Sequence, residues 1–546
     1  MNTSMRTSDR DQNPNTAPNS QPRCPAAQAS PRSTRLRMLP LVLAASFVGC
    51  TGPAEYIANG FKVGPNYQRP PAPVAAHWID ENDSRVRSVE GDDSNWWTVF
   101  NDPKLNDLVQ VAYQQNLTVR EAAFRVLQNR ALLSGAIGNL FPQTQTTNGG
   151  YDRINLSREV ANRQFAPMVA YNQWNYGFSL AWELDFWGRF RRAIEAANDQ
   201  LDASVENYDD VLVTLIGDVA SAYVQIRTLQ LQITYARQTL TLQRQSLEIA
   251  TAKFKGGQTS RIDVDQGQSD VSATEALIEQ QLIPLRQTAN RLCVLLGIPA
   301  EELLAKLGEQ SIPTAPSDVV VGIPADLLRR RPDVRKAERL AAAQNAEIGV
   351  AIAALYPQIS IGGDMGWQAQ KFKDLFGGNA FQGAVGPSFN WAILNYGRLL
   401  SNVRAQDAEF QQLVANYQNT VLQAGQEVED GLITFLRARY RAADQAESVR
   451  TQGEALKEAI AQYKNGLVDY NRVIVLQEKL VERQQVLADA QGQIAQGLIQ
   501  VYRALGGGWQ IRTAPDADVS GLLQPPTSPP KLPEAGALIT GRATAP

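Results

Sequence analysis

The side chains that most often carry out chemistry are scarce in this sequence. Among 546 residues there is one histidine, His77, and there are three cysteines, Cys24, Cys50 and Cys293. Zinc sites and disulfide frameworks need several such residues at short spacings, and a Cys/His nucleophile needs both partners. The four residues are too few and too scattered for any of these. The sequence therefore excludes most hydrolytic and redox chemistry, and it predicts a protein that is not an enzyme and uses no cofactor or metal.

Cys50 is the exception, because its surroundings indicate export followed by covalent modification. Three arginines between residues 32 and 37 precede the apolar residues 38–48. A basic segment, a short apolar core and small residues before a cleavage point are typical of an export signal. The stretch Phe47-Val48-Gly49-Cys50 resembles a bacterial lipobox, which implies cleavage after residue 49 and a lipid, including palmitate, on Cys50. The alternative is an ordinary secretory signal that happens to contain a cysteine.

Composition narrows the class of protein further. The chain is 44% hydrophobic and 20% charged, with a formal net charge of -3. These values fit neither a disordered chain nor a basic nucleic-acid-binding protein. No run of eighteen apolar residues occurs, so the sequence predicts no membrane-spanning helix. We therefore expect no nucleic acid among its partners.

A long heptad pattern starts at Leu201. Apolar residues recur at alternating steps of four and three as far as Phe254, with one exception at Gln243. A 3.5-residue repeat held over this length predicts helices that pack as a left-handed coiled coil. At about 1.5 Å per residue, a helix from Gly188 to Phe254 would be on the order of 100 Å long.

The same pattern occurs twice in the chain. Adding 209 to each heptad position gives a second row from Phe410 to Tyr463, and the same offset aligns Gly188 with Gly397 and Gly257 with Gly466. An offset of 215 aligns residues 140–142 with residues 355–357. One offset that holds across both the apolar pattern and the glycines indicates an internal duplication. Each half is predicted to contain a helix, an intervening segment and a pair of long helices.

The intervening segments have the two-residue period of β-strands. Strands are predicted at residues 176–184, 359–367 and 385–393, a weaker strand at residues 143–155, and a polar turn at residues 371–379. Each half thus supplies one hairpin long enough to cross a bilayer when tilted. Four aromatic residues on these strands are predicted to form a girdle at the lipid boundary: Tyr176, Trp182, Trp367 and Trp391. The alternative is an amphipathic hairpin on a soluble core.

Four strands from one chain cannot form a closed membrane wall. Unpaired N–H and C=O groups at an open edge cost several kcal/mol each in hydrocarbon, and the smallest single-chain barrels use about eight strands. The sequence therefore predicts an oligomer, with eight strands from two copies or twelve from three.

Local motifs resemble the TolC-like outer membrane factors, in the NodT-type lipoprotein branch that serves resistance-nodulation-division efflux pumps. The stretches that carry the resemblance are residues 63–70, residues 96–105, and Asp326 to Val334 followed by Ala354 to Pro357. The similarity spans about residues 50–510. It implies an α+β membrane protein in the outer membrane: a homotrimer whose twelve-stranded β-barrel continues as a periplasmic coiled-coil tunnel. It also implies two partners, a periplasmic adaptor protein and an inner-membrane transporter.

The resemblance also assigns a role to the turns between the long helices. In the family these tips form the periplasmic aperture and contact the adaptor. The matching residues here are Gly256, Gly257, Ser260, Asp263, Gly466, Leu467, Asp469 and Arg472. Family members often carry an acidic pair after the second tip, where this chain has residues 471–475 without an acid. We expect that Asp263 and Arg472 pair between neighbouring tips; a plain helix-to-helix turn, with glycine ending one helix and Ser or Asp starting the next, is the simpler interpretation.

These patterns predict five segments and one function. The segments are a signal peptide (1–49), an N-terminal lipid-anchored segment (50–100), a first repeat (101–310), a second repeat (311–510) and a disordered Pro-rich tail (511–546). The predicted function is the outer membrane channel of a tripartite efflux pump that passively conducts drugs or other small toxic molecules. The alternatives are the duct of a type I protein secretion system and a periplasmic coiled-coil scaffold or adaptor lipoprotein.

Overall fold

The computed structural model describes residues 52–513, except residues 90, 158, 160, 162–164, 166 and 167. The predicted signal peptide and Cys50 lie outside the described residues, as does the tail from residue 514. In chain order the elements are α1 (Pro53–Ala58), β1 (Val86–Arg87), α2 (Pro103–Gln115), α3 (Leu117–Gly138), β2 (Thr144–Asn155), β3 (Ala170–Glu183), α4 (Arg189–Lys255), α5 (Arg261–Leu295), α6 (Leu303–Leu307), β4 (Val319–Val320), α7 (Leu327–Arg330), α8 (Pro332–Ala353), β5 (Gln358–Ala369), β6 (Phe381–Asn390), α9 (Arg398–Lys464) and α10 (Tyr470–Ala504).

The two halves have helices of equal length. Helices α4 and α9 each have 67 residues, α5 and α10 each have 35, and α3 and α8 each have 22. The long pairs start 209 residues apart and the short pair starts 215 residues apart, as the sequence predicts. Both 67-residue helices begin after a glycine with a left-handed backbone, Gly188 (φ 79°) and Gly397 (φ 80°). The duplication is therefore present in the fold.

The predicted heptad rows are the buried faces of the long helices. From Tyr208 to Leu240 the row of α4 is buried at every predicted position, and Gln243, the polar exception, is buried too. In α9 the row is buried from Tyr417 to Ala442, and again at Leu456, Ala459 and Tyr463. Burial of this seam against α5, α8 and α10 stabilises the helices, since propensity alone does not hold long helices in water.

The four long strands form one antiparallel sheet in the order β2-β3-β5-β6. Two hairpins, β2-β3 and β5-β6, are joined by pairing between β3 and β5. The prediction of two hairpins is confirmed. The predicted strand at 385–393 is wrong at its end: β6 stops at Asn390, because Trp391 turns away to bond the carbonyl of Leu355 and Ile393 N–H closes a turn onto Trp391.

Smaller elements, which the sequence did not reveal, pack beside the long helices. Strands β1 and β4 form a two-residue parallel pair. Trp96, in a 3-10 helix at Trp96–Phe100, is buried and stacks on Tyr502 with 5.5 Å between ring centroids. A second 3-10 helix, Trp509–Thr513, buries Ile511. Residues 511–513, which the sequence assigned to the tail, belong to this 3-10 helix.

Among the described helices, α4 alone contains an 18-residue stretch with a mean hydropathy of 1.2, apolar enough by composition to cross a membrane. Inside the fold, 72% of that stretch is buried. Its apolar character is explained by packing against the neighbouring helices.

Candidate functional site

The sheet has one apolar face and one polar face. On β3 the residues Tyr176, Phe178, Leu180 and Trp182 share one face, because side chains alternate along a strand. The register places Trp367, Met365, Gly363 and Ile361 of β5 opposite them, on the same face. The other face carries small and polar residues, among them Asn175, Ser179, Asp364, Gln368 and Ser388. Such a sheet can separate hydrocarbon on one side from water on the other.

The apolar face is open to its surroundings in a single chain. Phe178 is 45% exposed, Val385 is 75% exposed and Phe389 is 76% exposed. Clusters of large exposed apolar side chains are uncommon on soluble monomers and indicate contact with a membrane or another protein. The alternation in β3, β5 and β6 matches the pattern of membrane barrel strands.

The four aromatic residues predicted as a girdle lie in two layers. Tyr176 and Trp367 are cross-strand partners whose rings stack with 6.4 Å between centroids, and Phe376 packs on both. Trp182 and Trp391 lie at the end of the sheet that joins the helices. Aromatic layers at two depths are typical of the two interfaces of a membrane barrel.

The second layer follows the internal duplication. The indole N–H of Trp182 donates to Leu140 O at 3.1 Å, and that of Trp391 donates to Leu355 O at 3.0 Å. The donors differ by 209 residues and the acceptors by 215, so each repeat closes its helix-to-strand junction with the same bond. Trp391 keeps this role although it lies just beyond β6.

The segment after position 51 is attached to this same junction. Tyr56 in α1 donates its hydroxyl to Phe186 O at 2.6 Å and packs on Trp187. Arg192, which is buried, donates to Val63 O at 3.1 Å and Gly64 O at 2.9 Å. No sequence pattern predicts this clamp of Arg192 on Val63 and Gly64, because the acceptors are backbone carbonyls more than a hundred residues away.

At the opposite ends of the long helices are the two predicted tips. Gly256 is the C-cap of α4, and Gly257 has a left-handed backbone (φ 71°), as has Gly466 after α9 (φ 74°). Ser260 and Asp469 are the N-caps of α5 and α10. These are the turns that the simpler interpretation predicts, with a positive φ that glycine adopts without a steric penalty.

The side chains at the tips differ between the repeats. Asp469 accepts a hydrogen bond from the Arg472 backbone N–H at 3.1 Å, whereas the Ser260 side chain makes no capping bond. Leu467 is 73% exposed. Within the described chain no ion pair joins Asp263 to Arg472; the carboxylate of Asp263 instead accepts from the Thr259 hydroxyl. The tips are therefore held by local bonds, and Leu467 and Arg472 remain at the surface.

A small core lies just behind the tips. Tyr463 and Tyr470 pack with 5.1 Å between ring centroids, and the ammonium of Lys253 lies 4.7 Å from the Tyr463 ring centroid. Helix α5 approaches closely here, because a Cβ on Gly267 would lie 2.6 Å from the Tyr470 hydroxyl oxygen. This cluster ties the tip of α4 and α5 to the tip of α9 and α10.

One carboxyl group beside this core has altered acidity. Burial, together with the charge of Glu478 across the contact between α5 and α10, raises the pKa of Asp270 to about 6. Its Oδ2 atom is buried without a hydrogen-bond partner in the described chain. Among the described residues, no group of three or more His, Cys, Asp or Glu side chains could hold a metal ion.

Comparison with known proteins agrees with this architecture. A family model described as "Outer membrane efflux protein" matches residues 108–298 and 323–507, which is well over half of the chain. The chain belongs to the outer membrane efflux protein family. It is accordingly an outer membrane channel component of an efflux system.

Relatives and solved structures support this assignment. Nodulation protein T of Rhizobium leguminosarum bv. viciae is 31% identical over 450 residues, covering 82% of this chain and 90% of the relative. The toluene efflux pump outer membrane protein TtgF of Pseudomonas putida is 31% identical over 464 residues, covering 83% of this chain and 95% of the relative. The outer-membrane channel OprN superposes with a TM-score of 0.77 at 29% identity, covering 82% of this chain and 99% of OprN. The open-state MtrE channel of Neisseria gonorrhoeae superposes with a TM-score of 0.70 at 25% identity, covering 82% of this chain and 98% of MtrE. The fold of this family member is thus TolC-like.

Proposed function

We propose that three copies of this chain close a twelve-stranded β-barrel that continues as a tube of long helices. The observation that carries the proposal is the four-stranded sheet with an apolar and a polar face, joined at one end to both helical hairpins. In hydrocarbon the outer edges of β2 and β6 would each leave a row of unpaired backbone groups, so the sheet must close. Two copies would give eight strands, whose interior is filled by side chains. Three copies form the smallest such barrel with an open lumen.

The duct is passive in this proposal. The polar face of the sheet lines the lumen, and the heptad helices extend the wall into the periplasm. Energy comes from an inner-membrane transporter, and a periplasmic adaptor connects that transporter to the tips at residues 256–260 and 466–469. Exposed Leu467 and the open glycine turns offer the adaptor a small, accessible contact.

Small apolar or amphipathic organic molecules are the proposed cargo. The relatives include a toluene efflux channel and a solvent efflux channel of Pseudomonas putida. The test is accumulation of a solvent or a fluorescent dye in a strain that lacks this channel. Retention in the deletion strain and export after complementation are expected. Equal accumulation in both strains, with each candidate pump present, would contradict the proposal.

Cys50 is the proposed site of lipid attachment. Helix α1 begins three residues after Cys50 and contacts the sheet-to-helix junction through Tyr56. An acyl chain on Cys50 would enter the bilayer. Since each buried methylene contributes about 0.8 kcal/mol, two or more chains would anchor the segment firmly.

Closure of the duct is proposed at the tips, where Asp263 of one tip pairs with Arg472 of a neighbouring tip. Support comes from their alignment at the 209-residue offset and from the exposure of Arg472. Exposed ion pairs contribute about 0 to 1 kcal/mol each. The pairing would therefore favour the closed aperture without keeping it permanently closed. Bilayer conductance of Arg472→Ala should rise in the closed state. Unchanged closed-state conductance would contradict the pairing of Asp263 with Arg472.

A further inference from the structure

The four-stranded sheet ends, on the side away from the helices, in two hairpin turns. Strands β2 and β5 follow the helices α3 and α8, and strands β3 and β6 lead toward the long helices α4 and α9. All four junctions with helices therefore lie at one end of the sheet, and both hairpin turns lie at the other. Because the helices of this outer membrane channel extend into the periplasm, the turns face the cell exterior.

Aromatic residues extend the apolar face toward this outer end. Trp174 lies two residues beyond Tyr176 on the same face of β3, and its cross-strand partner on β2 is Tyr151, with 4.6 Å between the ring centroids. Phe372, in the turn between β5 and β6, packs edge-on against Trp174 with 5.1 Å between centroids. Leu375 of the same turn is buried. These contacts fix the turn between β5 and β6 on the apolar face.

Basic side chains come directly after this aromatic layer. Arg153 of β2 is opposite Asn172 of β3, two residues beyond Trp174, and its guanidinium donates to the Asn172 side-chain oxygen at 2.7 Å. Strand β5 ends opposite Trp174, so Lys371, two residues further along the chain, lies level with Asn172. The extended backbone of Lys371 (φ -121°, ψ 137°) continues the alternation of the strand. Lys373 follows in the same turn.

The depth of these residues matches the outer boundary of a membrane. Ten residues of β3 separate Trp182, in the inner aromatic layer, from Asn172. They span about 34 Å along the strand, at about 3.4 Å per residue. With a strand tilt of about 40°, the span along the membrane normal is about 26 Å, close to the apolar band of about 25 Å in membrane barrels. Arg153 and Lys371 therefore lie at the level of the outer headgroups.

The three basic side chains are available to an external anion. Arg153, Lys371 and Lys373 are exposed, and none of them forms an ion pair among the described residues. A guanidinium has five N–H donors, and the bond to Asn172 uses one of them. Each lysine ammonium has three donors, and neither lysine donates a side-chain hydrogen bond within the part of the chain that the structure describes.

The nearby acidic residues leave these cations unpaired. Asp152 is on the opposite face of β2, where its carboxylate accepts from the Asn175 side chain at 3.4 Å. Glu159 and Asp374, in the two turns, are exposed and form no ion pair with the cations in the described ranges. The outward-facing charge beyond the aromatic layer is therefore positive.

We propose that Arg153, Lys371 and Lys373 bind the phosphate-bearing headgroup of a lipid in the outer leaflet of the outer membrane. The site rests on the proposed barrel, since only a sheet whose apolar face meets lipid places these cations among headgroups. Arginine matches phosphate with paired N–H donors, and lysine supplies a compact charge. Phe372 is 60% exposed beside Trp174, and exposed rings next to the cations favour a lipid over a soluble anion.

The number of cations sets the size of the expected effect. Each lysine or arginine near an anionic membrane surface strengthens the interaction about fivefold. Three such residues therefore give about a hundredfold preference for a phosphorylated lipid over the same lipid without phosphate. Lipid A is the phosphate-bearing lipid of the outer leaflet, and it is the probe of choice.

Native mass spectrometry of the full-length protein in detergent measures this binding. The probe is diphosphoryl lipid A, and the reference is the same lipid after removal of its phosphates. The test variant carries Arg153→Gln, Lys371→Gln and Lys373→Gln. Its affinity for lipid A should fall about a hundredfold, while its affinity for the dephosphorylated lipid should stay unchanged.

A matched control removes the same charge at the opposite end of the molecule. Lys255→Gln, Lys457→Gln and Lys464→Gln change three exposed lysines near the tips, which form no ion pair among the described residues. The control should bind lipid A as the unmodified protein does. Unchanged affinity of the test variant, or an equal loss in test and control, would overturn the site. Equally tight binding of the dephosphorylated lipid, or displacement of lipid A by inorganic phosphate, would overturn it too.

Thermal protection provides a second readout. Lipid A should raise the dissociation midpoint of the unmodified trimer and of the control but not of the test variant, because a ligand stabilises the state that binds it. If the triple variant does not assemble, Lys371→Gln with Lys373→Gln leaves β2 unchanged and should weaken binding about 25-fold. Absence of a trimer in the unmodified protein would contradict the proposed barrel. A trimer that lipid A does not protect would contradict the site alone.

Discussion

Leu180 offers a direct test of which face of the sheet contacts lipid. It lies on the apolar face between Tyr176 and Trp182, hence between the two aromatic layers, and it is 36% exposed in the single chain. In the proposed closed barrel this position would lie near the middle of the bilayer. The perturbation is Leu180→Arg.

The expected cost follows from the depth of the position. An arginine on the lipid face at the bilayer midplane costs about 2 to 4 kcal/mol. With one substitution in each of three copies, the barrel would lose roughly 6 to 12 kcal/mol. Since about 1.4 kcal/mol is a tenfold change in an equilibrium, even the lower value should abolish most of the assembled trimer.

The matched control is Ser179→Arg, one residue earlier on β3. Ser179 lies on the polar face directly opposite Asp364 of β5, so an arginine there would enter the lumen beside a carboxylate. This substitution should leave the trimer intact and alter ion conductance instead. The assay is the amount of heat-resistant trimer in the outer membrane fraction, followed by its thermal midpoint in lipid. Equal losses for the two variants, or a larger loss for Ser179→Arg, would refute the assignment of the faces.

Three further predictions concern the core, the anchor and the tips. Phe435→Ala should destabilise the fold by about 3 to 5 kcal/mol, because Phe435 is fully buried in the heptad seam of α9. The measurement compares its thermal unfolding with that of Tyr440→Ala, a control substitution at an exposed position of the same helix. Cys50→Ser should abolish incorporation of labelled palmitate while Cys293→Ser leaves it unchanged, and label on the Cys50 variant would contradict the anchor. Asp270 has a raised pKa of about 6, so its contribution to stability is full below pH 3.8 and is lost as the pH rises through 6. In Asp270→Asn the thermal midpoint should therefore vary less between pH 4 and 7. A pH dependence of the midpoint equal to that of the unmodified protein would count against this role.

Periodic features of the fold could be predicted from the sequence. The 209-residue offset predicted the starts of α9 and α10 from those of α4 and α5, because a buried apolar seam produces a heptad pattern and a glycine marks each turn. Strand alternation predicted the two hairpins for the same reason. The end of β6 was predicted wrongly, since Trp391 continues the apolar alternation but bonds to Leu355 O.

Contacts without a period could not be predicted. Trp509 lies between Arg335 and Arg512, whose guanidinium carbons are 4.9 and 5.3 Å from its ring centroid. These residues are far apart in sequence or belong to a short final turn, and no pattern connects them. The clamp of Arg192 on Val63 and Gly64 was missed for the same reason. The glycines at the tips occupy the turns that the simpler interpretation predicts, whereas the role proposed for the tips depends on contacts between chains.

The number of chains in the assembled particle tests the central claim most directly. Native mass spectrometry of the protein extracted from outer membranes into lipid nanodiscs would measure it. A single species of three chains is expected, because four strands per chain must close without an edge and leave a lumen. A folded single chain that is stable in buffer without detergent, or a particle of two chains, would contradict it.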